Sequence, residues 1–223
     1  MSAPLIISYD GTANDDDALV LGKLLEPDTS RLALAYVRHA AEFDREREEL
    51  AQHDAERRLE QGAARLGNPQ IPRHVVFSAS TGAGLEELAA KEGASLIVFG
   101  SDYRTPPGHA EPPTSAQRLL EIGAVAIAVA AAGLRAEPGP RLASIAVPPL
   151  AEDDAAQQTA RTLAARLGIE VVRAAAASVD LIVVGSQAGA PGGRVALSGS
   201  ARSMLDASRG SVLVVPAGKP LHL

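Results

Sequence analysis

Short apolar runs bounded by turn residues recur along the first half of the chain. Leu5 to Tyr9, Leu32 to Val37, Val75-Val76-Phe77, Leu96 to Phe99 and Val125 to Val129 each read as a short buried strand. Between them the polarity turns helical. Asn14-Asp15-Asp16-Asp17 opens one helix with acids suited to the positive end of its dipole. Glu42 to Leu66 is a long charged helix with Leu50 and Leu59 among its few apolar contacts, and Gly84 to Lys91 and Thr114 to Glu121 follow. Strand and helix in alternation predict a parallel sheet covered by helices, in five βα-type units. The stretch Gly133-Leu134-Arg135-Ala136-Glu137-Pro138-Gly139-Pro140 is rich in turn residues and reads as a linker.

Beyond the linker the pattern restarts. Ser95-Leu96-Ile97-Val98-Phe99-Gly100-Ser101 matches Asp180-Leu181-Ile182-Val183-Val184-Gly185-Ser186 at an offset of 85, and the offset continues through Thr114-Ser115-Ala116 on Gly199-Ser200-Ala201 to the final apolar run. Leu5 to Asp10 aligns with Ala143 to Pro148 at 138, which places Pro148 opposite Asp10. The second copy then lacks about the length of residues 41–93. The expected domains are 1–134, nearly complete, and 141–223, shortened. Only eight residues separate Val172 from Leu181. A parallel crossover takes a dozen or more, so Glu170 to Arg173 is not expected as a parallel neighbour joined by a full helix. Ala174 to Ser178 is expected as no more than a turn, and the second half as a sheet of fewer strands.

Composition narrows the partners. Of 223 residues 46% are hydrophobic, enough for a sizeable core, while aromatics are 3% and the net charge is −6. That argues against base stacking and against a polyanion-binding face. There is no cysteine, hence no disulfide and no thiolate chemistry. Met1-Ser2-Ala3-Pro4 lacks a basic leader region and no apolar run approaches a membrane span. The expectation is a cytoplasmic protein without nucleic-acid or membrane partners.

In an open parallel sheet ligands bind at the carboxyl ends of strands where the strand order reverses. In the first half this singles out Asp10-Gly11-Thr12 and Gly100-Ser101-Asp102. The plainer reading makes Asp10 and Thr12 a turn and a helix cap. In the second half Gly185-Ser186, Gly189, Gly192, Gly193 and Gly199-Ser200 lead into a helix, the composition of a phosphate cradle or of a flexible loop. The histidines, His39, His53, His74, His109 and His222, show no ligand spacing, and Ser186 and Ser200 have no sequence neighbour to activate them. Neither a metal site nor a catalytic residue is assigned, and an enzyme is the less favoured class. Ile6 to Thr12 comes near the D-x-D-G-T of haloacid dehalogenase-type phosphatases, but Ser8 stands where that motif needs its nucleophilic Asp.

These residues resemble the universal stress protein family. Its nucleotide-binding members carry an Asp at the end of the first strand and G-x2-G-x9-G-[S/T] after the fourth. Here Gly189, nine residues and Gly199-Ser200 reproduce the second spacing, while Gly185 precedes Gly189 by one residue more than the pattern. The resemblance implies an adenine-nucleotide alpha hydrolase-like α/β fold of open parallel sheets with flanking helices, in tandem. It implies that ATP or AMP is the ligand, with Asp10, Gly11, Val37, Gly100, Ser101 and Ser115 at one site and Gly185, Ser186, Gly189, Gly199 and Ser200 on the phosphate side of another. The first loop departs from the pattern: it carries Asp102, Glu111 and four prolines, with Arg104 and His109 in partial compensation. The alternative is a ligand-free scaffold acting through protein contacts. The family's dimers pair their last strands, so Val125 to Val129 and Val212 to Val215 are expected side by side in an internal pseudo-dimer. A further homodimer and the identity of any protein partner stay open.

Overall fold

A computed structural model describes residues 5–40, 44–148, 154–173, 179–207 and 209–223. The chain order is β1 (Leu5–Ser8), α1 (Ala13–Leu25), β2 (Leu32–Arg38), α2 (Arg45–Leu66), β3 (Arg73–Phe77), α3 (Thr81–Glu92), β4 (Leu96–Phe99), α4 (Thr114–Ile122) and β5 (Ala126–Val129). After a short 3-10 turn at Leu134–Ala136 come β6 (Ile145–Val147), α5 (Asp154–Leu167), β7 (Val171–Arg173), β8 (Leu181–Val184), α6 (Gly199–Ala207) and β9 (Ser211–Val214). Among the described residues no helix is long and apolar enough to cross a membrane.

The strands form one nine-stranded sheet in the order β3-β2-β1-β4-β5-β9-β8-β6-β7. Every neighbouring pair is parallel except β5 and β9, which meet antiparallel with Ile127 opposite Val214, Ala128 opposite Leu213 and Val129 opposite Val212. The last strands of the two halves are therefore side by side at the centre, as expected. Both faces of the sheet are buried, so its central strands read as unbroken apolar runs. Leu96 and Val98 belong to the core layer on the side of α1, α2 and α5, whereas Ile97 and Phe99 belong to the layer on the side of α3, α4 and α6.

Local chemistry accounts for the helix ends. Thr12 caps α1 through a reciprocal box with Asp15, Asp44 caps α2, and Gly67 ends α2 in the left-handed conformation. Leu59 is buried, but Leu50, expected beside it as a contact, is 68% exposed on the solvent face of α2. The linker is held rather than loose. Asp17 of α1, fully buried, accepts the amides of Gly133 and Arg135 at 2.8 and 2.7 Å and pairs with the Arg135 guanidinium at 2.7 Å.

The second half is shorter, as expected, with four strands. One expectation is corrected. Val171–Arg173 is a parallel neighbour, of β6, reached from it through the full helix α5, and it stands at the sheet edge two places from β8. The short segment between β7 and β8 thus joins strands that do not touch. Ala174 to Ser178, expected as a turn, lies outside the described residues.

The register also corrects the alignment of the two first strands. Leu5 is opposite Leu96 in β1–β4, and Ile145 is opposite Leu181 in β6–β8. Because Leu96 and Leu181 are 85 apart, Leu5 corresponds to Ile145, at 140 rather than 138. A shift of two keeps every side chain on its face, which is why the sequence pattern could not resolve it. Pro148 therefore corresponds to Ser8, not to Asp10. The counterpart of Asp10 is Leu150, outside the described residues.

Candidate functional site

The loops after β4 and β8 are built on the same plan. Ser101 Oγ donates to the carbonyl of Ala130 at 2.6 Å and accepts the Glu111 amide at 3.2 Å; Ser186 Oγ donates to Val215 at 2.9 Å and accepts the Ala196 amide at 3.2 Å. The bonds Asp102 N to Glu111 O and Gly108 N to Ala132 O recur as Gln187 N to Ala196 O and Gly193 N to Ala217 O. Each pair is 85 residues apart. Each serine is buried and holds its loop to the end of the adjacent strand. Each loop also reaches the other half, through Gly210 N to Gly108 O at 2.8 Å and Val195 N to Gly123 O at 2.7 Å.

Two clefts open at these loops. The first, of about 410 Å³, is lined by Ser8, Asp10, Thr12 to Asp15, Phe99 to Tyr103, Pro113 and Ser115. The second, of about 120 Å³, is lined by Pro148, Val184 to Ala188, Ser198, Ser200, Ala201 and Met204. Small-molecule sites run upward from about 300 Å³, so the first is the one of ligand size. Its place, at the carboxyl ends of β1 and β4 where the strand order turns back, is where open α/β sheets bind ligands.

The first cleft brings together Asp10, Gly100, Ser101 and Ser115. Val37 is buried against α3 within the core and does not line it, and Gly11, in a left-handed turn, stacks on the stem of Arg58. Gly100 is there for lack of space. A β-carbon would meet the Asn14 carbonyl oxygen at 2.2 Å, because the first turn of α1 rests on the end of β4. Asn14 Nδ2 bonds the carbonyls of Ser101 and Asp102 at 2.8 and 2.9 Å from that turn. Asn14, Asp15 and Tyr103 are lining residues that sequence reasoning did not single out. Only Asp15 had a readable signal, its capping-box spacing from Thr12.

Three carboxylates stand in this cleft, from Asp10, Asp15 and Asp102, and among the described residues no Lys, Arg or His lines it. Asp15 Oδ2 accepts the Asp10 and Thr12 amides and the Thr12 hydroxyl, at 3.1, 2.9 and 2.7 Å. Thus Thr12 is the cap that the plainer reading gave it. The Asp10 carboxyl is pushed up from 3.8 to about 6. Loss of hydration is the main cause and the Asp15 charge adds to it, while Arg58 and His39 pull the other way. Near neutral pH Asp10 is thus mostly an acceptor, suited to an amino or hydroxyl donor. Arg58 donates to the Asp10 carbonyl at 3.1 Å, and Arg104 lies over the Tyr103 ring at 4.9 Å.

The second cleft brings together Gly185, Ser186 and Ser200, without Gly189 or Gly199. Gly189 turns the loop at φ 82°, and Gly199 begins α6 facing open space. Much of the loop's donor capacity is used within the protein: the amides of Gln187, Ala190, Gly193, Arg194, Val195 and Ala196 all have protein acceptors. The Ser200 hydroxyl bonds Ser198 Oγ at 3.0 Å. Among the described residues no group of three or more His, Asp or Glu side chains is placed to hold a metal ion.

No protein-family model matches this chain, and no curated protein matches its sequence. Its architecture does match solved structures. A universal stress protein from Archaeoglobus fulgidus DSM 4304 superposes with a TM-score of 0.65 at 14% identity, over 98% of this chain and 100% of the other. A protein provisionally assigned as a universal stress protein, from Pseudomonas aeruginosa UCBPP-PA14, gives 0.57 at 14% identity over 96% and 93%. A functionally unknown protein from Pseudomonas aeruginosa PAO1 gives 0.56 at 13% over 97% and 93%. With superposition over nearly the whole of each chain, this chain has the fold of the universal stress proteins.

Proposed function

We propose that this chain is a universal stress protein-like regulatory protein, a tandem of 1–134 and 141–223, that binds an adenine nucleotide, ATP or AMP, weakly in its first cleft. The observation that carries this reading is the 410 Å³ cleft at the strand-order reversal, with Asp10 as an acceptor beside Gly100 and Ser115. In this reading Asp10 takes a hydrogen bond from the amino group or a ribose hydroxyl, and the start of α4, which has no side-chain cap, offers the Thr114 and Ser115 amides to the ligand, the Ala116 amide being bonded to the Pro113 carbonyl. The second cleft plays no part, since so many of its loop amides are engaged within the protein.

Those engaged amides favour a second reading for the 141–223 half, a scaffold acting through protein contacts. Calorimetric titration with adenosine, AMP and ATP separates the two. Saturable binding that Asp10→Ala weakens about tenfold supports the ligand reading, the loss expected of a charge-assisted hydrogen bond. No heat from adenosine, AMP or ATP at millimolar concentration leaves the scaffold reading for the whole chain.

A further inference from the structure

The composition of the first cleft specifies more than its size. Asp10 faces it from the loop after β1, Asp15 from α1 and Asp102 from the loop after β4, and among the described residues no cationic side chain lines it. The nearest cations stand at its rim: Arg58 donates to the Asp10 carbonyl and, with His39, acts on the Asp10 carboxyl, and Arg104 lies over the ring of Tyr103. The loop offers little to an anion. Asp102, Arg104, Thr105, Gly108, His109 and Glu111 direct their amides at protein acceptors, and Pro106, Pro107, Pro112 and Pro113 have none to give. What remains is the start of α4, whose dipole is equivalent to about half a positive charge. Against three carboxyl groups that is the smaller effect.

We infer that the first cleft selects against phosphate, and that its preferred ligand is an uncharged nucleoside rather than a nucleotide. This rests on the reading that the cleft takes an adenine-type ligand, and reverses the order of affinities that a phosphate-reading site would show. Asp10 offers an acceptor to amino and hydroxyl donors, which a nucleoside carries in full, while Asp15 is taken up by the Asp10 and Thr12 donors. Each phosphate adds negative charge facing Asp15 and Asp102. For charges about 8 Å apart in a wet, salt-screened cleft the repulsion amounts to roughly fivefold in affinity per phosphate group.

The test is titration of the intact chain with adenosine, AMP and ATP, without divalent cations, at low salt and at 0.5 M NaCl (about a 4 Å screening length). Adenosine should bind tightest, AMP about fivefold more weakly, and ATP, with two further phosphates, about 25-fold more weakly than AMP. Added salt should strengthen AMP and ATP relative to adenosine, because it screens a repulsion. Asp102→Asn should narrow the ratio between adenosine and AMP. Binding of ATP as tight as adenosine, or an ATP affinity that falls with salt, overturns the inference and leaves the ligand reading standing. Failure of all three to bind at millimolar concentration overturns both.

Discussion

Asp10 and the two loop serines show how differently single residues of one neighbourhood are used. Ser101 and Ser186 spend their hydroxyls on loop backbone, so what each contributes to its cleft is shape. Asp10 keeps its carboxyl toward the cleft, at some cost. Its pKa in the folded protein is raised, to about 6 from 3.8. The folded state therefore holds a proton that the unfolded chain has released between those values, and the charged form works against folding. The penalty is absent below about pH 4, grows as pH rises through the window and is complete above about 6. Asp15 reinforces it, while Arg58 and His39 oppose it. Asp10→Asn should accordingly raise the melting temperature at pH 7.5 and leave it unchanged at pH 3.5, as scanning calorimetry will show. The gain should be small, because the side chain reaches water.

At the scale of elements, α1 organises the first half. Its cap residue and first turn wall the cleft, Asn14 holds the loop after β4, and Asp17 holds the linker that leads to the second half. Asp17 is fully buried and satisfied by two amides and a guanidinium. Removing it leaves two part-buried amide donors without their acceptor and frees the Arg135 guanidinium, which is 36% exposed. Asp17→Ala should destabilise the protein by about 2 kcal/mol, read as a lower urea midpoint, whereas Asp17→Asn, which keeps an acceptor, should lose less. A midpoint unchanged in Asp17→Ala would show that the linker does not depend on this anchor. In the second half α5 holds the segment after β9 through the fully buried Thr159, whose hydroxyl accepts the Leu221 amide at 2.9 Å.

For the whole molecule the decisive contact is the antiparallel pairing of β5 with β9. It turns two parallel sheets into one and buries what would otherwise be two apolar edges. Ile127, Ala128 and Val129 are fully buried there, and the Ala131 amide is taken by Ser211 Oγ from the other half at 3.1 Å. A fragment of residues 1–134 exposes β5 along its full length and should self-associate, as a dimer or larger, in analytical ultracentrifugation. A soluble monomeric fragment would show that β9 is dispensable to the first half. The crossed bonds Gly210 to Gly108 and Val195 to Gly123 add to the same joint.

The alternation of strand and helix, the burial of both faces of the central strands and the recurrence at 85 residues were all legible in the sequence, because apolar periodicity records burial and the loops repeat their spacing without a gap. The glycines and Asp10 were legible as candidates by residue type. Three things only the tertiary structure decided. The register of β6 was hidden, since a slip of two preserves the pattern, and with it the true counterpart of Asp10. The edge position of β7 was hidden because crossover length constrains neighbours in the sheet, and β7 and β8 are not neighbours. The convergence of three acids in the first cleft was hidden because Asp10 and Asp15 lie about ninety residues from Asp102 in the chain, and their shared space arises only where α1 rests on the end of β4.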